Sequence, residues 1–247
     1  MTFTVDNLTE RQIAKAIDHS LLRPELDDAF VEEGCHLAAE YDVASVCVRP
    51  VDVRRAVSIL VGTDVAVGTV VGFPHGSSTT ATKVFEATHA IEDGATELDM
   101  VIDIGALKSG RDDDVRHDIE AVVAVGHLGG AIVKVILENA YLTDDEKVRG
   151  SQVTEAAGAD FVKTSTGFAP GGATHEDLAL MRRTVSPQVQ VKAAGGVRTL
   201  DALIDVMNLG VTRVGATATK AIIDDFRARK GGAAPAVAAA AGAEGSY

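Results

Sequence analysis

Four short apolar runs each carry one charge where a buried strand would carry none: Val162-Lys163-Thr164, Val191-Lys192-Ala193, Val133-Lys134-Val135 and Leu98-Asp99-Met100. Asp18, in Ile17-Asp18-His19, repeats the pattern. Side chains alternate faces along a strand. If Val133, Val135, Val162 and Val191 face a layer of helices, the charges point the other way, into a shared interior. Three cations (Lys134, Lys163, Lys192) and two anions (Asp18, Asp99) would then converge. A purely structural ion-pair network is one reading, because buried charges are usually paired. Yet replacing buried ion pairs with packed apolar residues is often neutral or stabilising, so five such charges point beyond stability, to catalysis.

The chemistry open to this cluster is that of an amine nucleophile. A lysine at its reference pKa of about 10.4 is almost wholly protonated at neutral pH, and so inert. Bringing such a group near 7 takes roughly 4–5 kcal/mol against the charged form. Lys163 and Lys192 fall on consecutive candidate strands, and paired strands lie about 4.8 Å apart. Two cations about 5 Å apart repel by roughly 3 kcal/mol at an effective dielectric near 20. Repulsion and partial desolvation together would activate Lys163, with Lys192 as activator and proton donor.

A second set of residues suits an anion. Gly195-Gly196-Val197-Arg198-Thr199 follows the Lys192 run, Gly215-Ala216-Thr217-Ala218-Thr219 follows the last apolar run, and Ser165-Thr166-Gly167 follows Lys163. Glycines let the backbone approach a phosphate closely, and helix N-termini aim N–H groups at it. Arg198 is either a further anion contact or the partner of Asp201 at a helix start.

The elements that must position these residues alternate. Candidate strands cover 16–21, 44–48, 65–71, 97–102, 132–137, 161–164, 189–193 and 212–214, separated by amphipathic segments of helical length. This is the pattern of βαβ units and a parallel sheet, here a single-domain (β/α)8 TIM barrel over residues 1–230. Thr143 with Glu146, Thr174 with Asp177, and Thr199 are placed to cap helices. Gly94, Gly158 and Gly210 each stand at a helix-to-strand joint that calls for positive φ. A short N-terminal helix over 8–15 is placed to plug the N-terminal mouth, and 231–247 reads as a flexible Ala/Gly-rich tail. Barrel enzymes work at the C-terminal ends of their strands, often with a phosphate site after strands seven and eight. The glycine runs fall there.

Composition narrows the partners. A formal net charge of −13 argues against nucleic acid and anionic membranes, so an anionic small substrate must be attracted locally. Cys35 and Cys47 are too few for a disulfide framework. No apolar run nears the roughly 20 residues that span a bilayer, and residues 1–10 lack the regions of a signal peptide. A cytoplasmic location is expected. His19, His75 and His89 lack the paired spacing of a zinc motif, so no metal is expected. The residues alone leave open an imine-forming aldolase, a phosphate-binding isomerase and a non-catalytic sugar-phosphate binder.

Phe161-Val-Lys-Thr-Ser-Thr-Gly-Phe168, Val191-Lys-Ala-Ala-Gly-Gly-Val-Arg198 and Glu97-Leu-Asp-Met-Val-Ile102 resemble segments of the deoxyribose-phosphate aldolase family. Asp18-His-Ser-Leu-Leu22, Ser45-Val-Cys-Val-Arg-Pro50, Gly72-Phe-Pro-His-Gly76 and Lys134-Val-Ile-Leu-Glu138 fit further segments, in order, from about residue 18 to residue 219. The resemblance implies reversible cleavage of 2-deoxy-D-ribose 5-phosphate to D-glyceraldehyde 3-phosphate and acetaldehyde, with no cofactor. Lys163 would form the Schiff base, Asp99 and Lys192 would relay the C3 hydroxyl proton through water, and Asp18 and Lys134 would position substrate and tune the lysines. Gly167, Gly195, Gly196, Arg198, Gly215 and Thr217 would hold the phosphate. It further implies a homodimer, a place for Cys47 beside the pocket, and a C-terminal Tyr247 that reaches the pocket. Cys47 read from its own type is a small core thiol. The loop after the eighth strand departs from the family's serine-rich pattern, because Ala218 removes a hydroxyl that Thr217 retains. Another imine-forming barrel aldolase, acting on a ketose phosphate, is the nearest alternative.

Overall fold

The computed structural model describes residues 2–232. Eight parallel strands form one closed ring in chain order: β1 (Ile17–Leu21), β2 (Ser45–Val48), β3 (Ala66–Val71), β4 (Glu97–Val101), β5 (Ile132–Ile136), β6 (Phe161–Lys163), β7 (Gln190–Ala194) and β8 (Arg213–Ala216). The helices are α1 (Glu10–Ala14), α2 (Asp28–Glu40), α3 (Val53–Leu60), α4 (Thr80–Glu92), α5 (Ile104–Lys108) and α6 (Asp112–Leu128). They continue as α7 (Asp144–Ala156), α8 (His175–Thr184), α9 (Leu200–Asn208) and α10 (Thr219–Lys230). This is the expected TIM barrel.

Alternation along the strands sorts the side chains as parity requires. Leu98, Met100, Val133, Val135, Val162 and Val191 are all fully buried in the apolar layer shared with the helices. Ala87, Ile119, Val122, Leu178, Leu203 and Ile222 meet them there from the helical side. The helix starts follow from local chemistry: Thr143 and Glu146 complete a reciprocal capping box, while Thr174 and Thr199 each accept one backbone N–H. Asp177 completes no box, because its carboxylate is taken by Asn139 and Lys147. Gly94, Gly158 and Gly210 have φ of 102°, 77° and 90° at the helix-to-strand joints, the conformation that favours glycine there.

Two elements depart from the expectation by more than one residue at an end. β8 runs on to Ala216 rather than ending at residue 214, because Asp18 and His19 of β1 pair with Gly215 and Ala216. That closing pairing is a tertiary demand that no β-propensity in Val-Gly-Ala announces. The N-terminal helix is shorter than 8–15, starting after its Thr9 cap. It lies against α10, and Lys15 Nζ donates to the carbonyls of Val43 and Asp64, ahead of β2 and β3.

Candidate active site

Each charged strand residue arrives inside the ring. Register places Asp99 opposite Lys134, and Lys163 opposite Lys192. Asp18, Asp99, Lys134, Lys163 and Lys192 are each no more than 2% exposed. The hub is Asp99. Its Oδ2 lies 2.7 Å from Lys163 Nζ and 2.7 Å from Lys192 Nζ, and its Oδ1 accepts from Lys134 Nζ at 2.9 Å. Lys192 Nζ also lies 2.5 Å from Asp18 Oδ2. Lys134 Nζ lies 2.5 Å from Glu97 Oε2 and 3.5 Å from Asp18 Oδ2.

Two members of the cluster escaped the sequence reading. Arg213 bonds Asp18 and Glu97, the latter at 2.6 Å, so the interior holds four cations against three carboxylates, Asp18, Glu97 and Asp99. Both missed residues stand first in their strands, next to Thr96 and Thr212. A charge beside a loop reads as solvated; the signal that could have found them is parity, since Glu97 shares a face with Asp99.

The expectation that simple repulsion activates Lys163 needs correcting. The two ammonium groups do not face each other bare, because one oxygen of Asp99 stands between them. What distinguishes Lys163 is its poverty of partners. It has one carboxylate, whereas Lys192 has two and Lys134 three. Releasing a proton from Lys163 therefore breaks one ion pair, on an oxygen that Lys192 continues to satisfy.

The electrostatics of the carboxylates fit this. Burial alone would raise the Asp99 carboxyl, but Lys134, Lys163 and Lys192 outweigh it and hold the group well below the ordinary carboxylate range. Asp18 is likewise lowered, with Lys192, Lys134 and Arg213 overcoming burial. Burial works against the charge of Lys134, yet Asp99, Glu97 and Asp18 raise it well above an ordinary lysine. Lys134 is thus locked as a cation.

Cys47 faces the same interior, packed with Leu22, Val70 and Phe73. Burial and the nearby Asp99 push its thiol up to about 11, so it stays protonated at neutral pH. Geometry places it at the site as an apolar wall.

The glycine runs form a rim above β7 and β8. Gly195, Gly196, Arg198, Gly215 and Thr217 line one small concavity, with Val197 and Ala216. Gly195 and Gly196 have φ of 77° and 93°, turning the backbone in a way that side chains resist. A Cβ on Gly215 would stand 3.8 Å from Lys192 Cε, which ties the rim to the lysine layer. Gly167, with φ 88°, lies in the loop after β6, outside that lining. Both carboxylate oxygens of Asp201 are held by Arg229 of α10, at 2.5 and 3.0 Å. Tyr247 lies outside the described residues.

A cavity of about 490 Å³ lies between the end of β1 and α2. His19, Ser20 and Thr217 contribute to its wall, but the lysines do not, because their own side chains fill the barrel axis. Among the described residues, no group of three or more His, Cys, Asp or Glu side chains is arranged to hold a metal ion. No described helix is long and apolar enough to cross a membrane.

Residues 12–240 match the model of the DeoC/LacD family of aldolases. A deoxyribose-phosphate aldolase of Geobacillus sp. is 52% identical over 215 residues, which cover 87% of this chain and 96% of that protein. Deoxyribose-phosphate aldolase 1 of Staphylococcus aureus is 53% identical over 214 residues, covering 87% of this chain and 96% of that protein. The tetrameric deoxyribose phosphate aldolase of Aeropyrum pernix superposes with a TM-score of 0.84 at 28% identity, covering 91% of this chain and 95% of that one.

Proposed function

Because this chain belongs to the DeoC/LacD aldolase family, we propose that it is a deoxyribose-phosphate aldolase working through a Schiff base on Lys163. The observation that carries the assignment of Lys163 is its single carboxylate partner, shared with a neighbouring lysine. The neutral amine attacks the C1 aldehyde of open-chain 2-deoxy-D-ribose 5-phosphate. Loss of water gives an iminium that draws electrons from the breaking C2–C3 bond. The proton of the C3 hydroxyl must leave as that bond breaks. Asp99 is held ionised by three lysines and keeps protons poorly; it takes the C3 hydroxyl proton through water and passes it on through water to C2 of the enamine, while the Lys192 ammonium holds the Asp99 oxygen in place. D-glyceraldehyde 3-phosphate departs, the enamine takes a proton at C2, and hydrolysis frees acetaldehyde and the amine.

Lys134 and Asp18 hold the lysine pair in register. The rim formed by Gly195, Gly196, Arg198, Gly215 and Thr217, with Gly167 beside it, receives the phosphate through backbone N–H groups and one guanidinium. Tyr247 is the proposed assistant in C2 protonation, and Cys47 lines the acetaldehyde end. A cytoplasmic enzyme accords with two free cysteines, and self-association at least to a dimer completes the proposal. The test is borohydride reduction in the presence of acetaldehyde, followed by peptide mass mapping. A reduced two-carbon adduct on Lys163 is expected; an adduct on Lys192 or Lys134 instead would overturn the assignment.

A further inference from the structure

Glu138, immediately beyond β5, has a backbone that glycine would adopt more readily. Its φ and ψ are 58° and 64°, in the left-handed region, yet it is a glutamate and only 2% exposed. Its neighbours fix this kink: Leu137 N donates to Lys163 O and Asn139 N to Thr164 O, both at 3.0 Å. The turn between those two bonds sends the carboxylate toward the loop after β6. Thr166 N donates to Glu138 Oε1 at 3.2 Å and to Oε2 at 3.3 Å, and Thr166 Oγ1 donates to Oε2. Phe168 N in turn donates to Thr166 Oγ1 at 3.0 Å. The Phe168 ring stands edge-on to Phe73, with centroids 5.3 Å apart, linking this loop to the one after β3. A left-handed glutamate persists only when its surroundings require the side chain, and such outliers cluster at functional sites.

We propose that Glu138 is a positioning residue for phosphate recognition, clamping residues 166–168 so that Gly167 faces the 5-phosphate of the sugar. The inference rests on the phosphate-rim reading above. The hydrogen bonds of the clamp go to Thr166 in the loop directly after Lys163, and the Lys163 ammonium adds only a lesser electrostatic attraction to the carboxylate. Loss of the clamp therefore separates recognition from chemistry. Burial raises the Glu138 carboxyl, while Thr166 opposes that by hydrogen bonding to the ionised form, so the bonds from Thr166 are what keep the carboxylate in place.

The test compares kcat/KM for 2-deoxyribose 5-phosphate with that for unphosphorylated 2-deoxyribose. In Glu138→Gly, where the backbone conformation is relieved, the preference for the phosphorylated sugar is expected to fall at least tenfold. Borohydride trapping of acetaldehyde, which carries no phosphate, stays within threefold of wild type. Glu138→Gln keeps an acceptor for the Thr166 N–H and restores most of the preference. Thr166→Val reproduces the loss, and carries the test should Glu138→Gly fail to fold. An unchanged preference in Glu138→Gly or Thr166→Val overturns the inference, as does a fall in trapping that parallels the fall in preference. A wild-type enzyme with no preference for the phosphorylated sugar would sink the rim reading itself, and the clamp with it.

Discussion

The molecule buries lysine in two places, and the two are built on opposite principles. Lys83 of α4 is fully buried outside the barrel, where Nζ donates to Asp118 Oδ2 at 2.5 Å and to the carbonyl of Val101 at 2.8 Å. The other oxygen of Asp118 accepts from Thr80 at 2.8 Å. Both carboxylate oxygens in that pair are committed, and neither is shared between cations. Inside the ring, Lys163 and Lys192 draw on one oxygen of Asp99, and four cations face three carboxylates. The pair under α4 is closed; the barrel cluster is over-subscribed. Burial of a lysine does not by itself mark chemistry, whereas competition for one acceptor does, since it leaves an amine that can shed its proton with the least loss of pairing.

The sharpest way to break the contrast is at the amine itself. Lys163→Leu is expected to reduce cleavage of 2-deoxyribose 5-phosphate by more than about ten-thousandfold, with the circular dichroism spectrum retained. The assay couples released D-glyceraldehyde 3-phosphate to a dehydrogenase. Lys83→Met should do the reverse, destabilising the fold by about 3–5 kcal/mol as one partner of a buried pair is removed. Its kcat per folded molecule should stay within threefold of wild type, and the double variant Lys83→Met/Asp118→Leu should recover much of the stability in urea melts. A large loss of kcat in folded Lys83→Met would erase the distinction.

A third buried site has no counter-charge at all. His19 bonds Thr219 Oγ1 at 2.8 Å, and burial pushes its imidazole down to about 4. Below pH 6.5 the unfolded chain binds a proton there that the folded barrel refuses. The stability this group contributes is therefore whole above pH 6.5 and is lost as pH falls to about 4, by about 3 kcal/mol. His19→Gln should flatten the melting temperature over that window, and an unaltered decline would refute the assignment. The smallest change expected is the most informative. Lys192→Leu gives the Asp99 oxygen to Lys163 alone, making the open arrangement resemble the closed one, and turnover should fall about a hundredfold. Near-normal turnover in a folded variant would show that sharing is not what activates the amine.

The barrel and the lysine layer were readable because a lone charge amid β-branched neighbours has no solvent to go to. Asp18, Asp99, Lys134, Lys163 and Lys192 all carry that mark. Lys83 carries none: in Thr-Lys-Val-Phe on a helix it looks like any surface lysine, and only the packing of α4 on α6 and β3 buries it. Glu138 was hidden for a related reason. It lies past the strand's end, and its conformation is set by bonds from residues 137 and 139 to β6, which local sequence does not encode. The surroundings of Lys192 were legible only in part. Strand register was predictable, but the carboxylate oxygen between the two amines depends on the reach of Asp99 across the ring from β4.

Ring closure carries a consequence for synthesis. Ile17, Asp18 and His19 pair with Val214, Gly215 and Ala216, so the first strand waits for the last. Arg213 and Asp18 meet only then. A chain still emerging from the ribosome lacks this join until nearly all of the barrel has been translated.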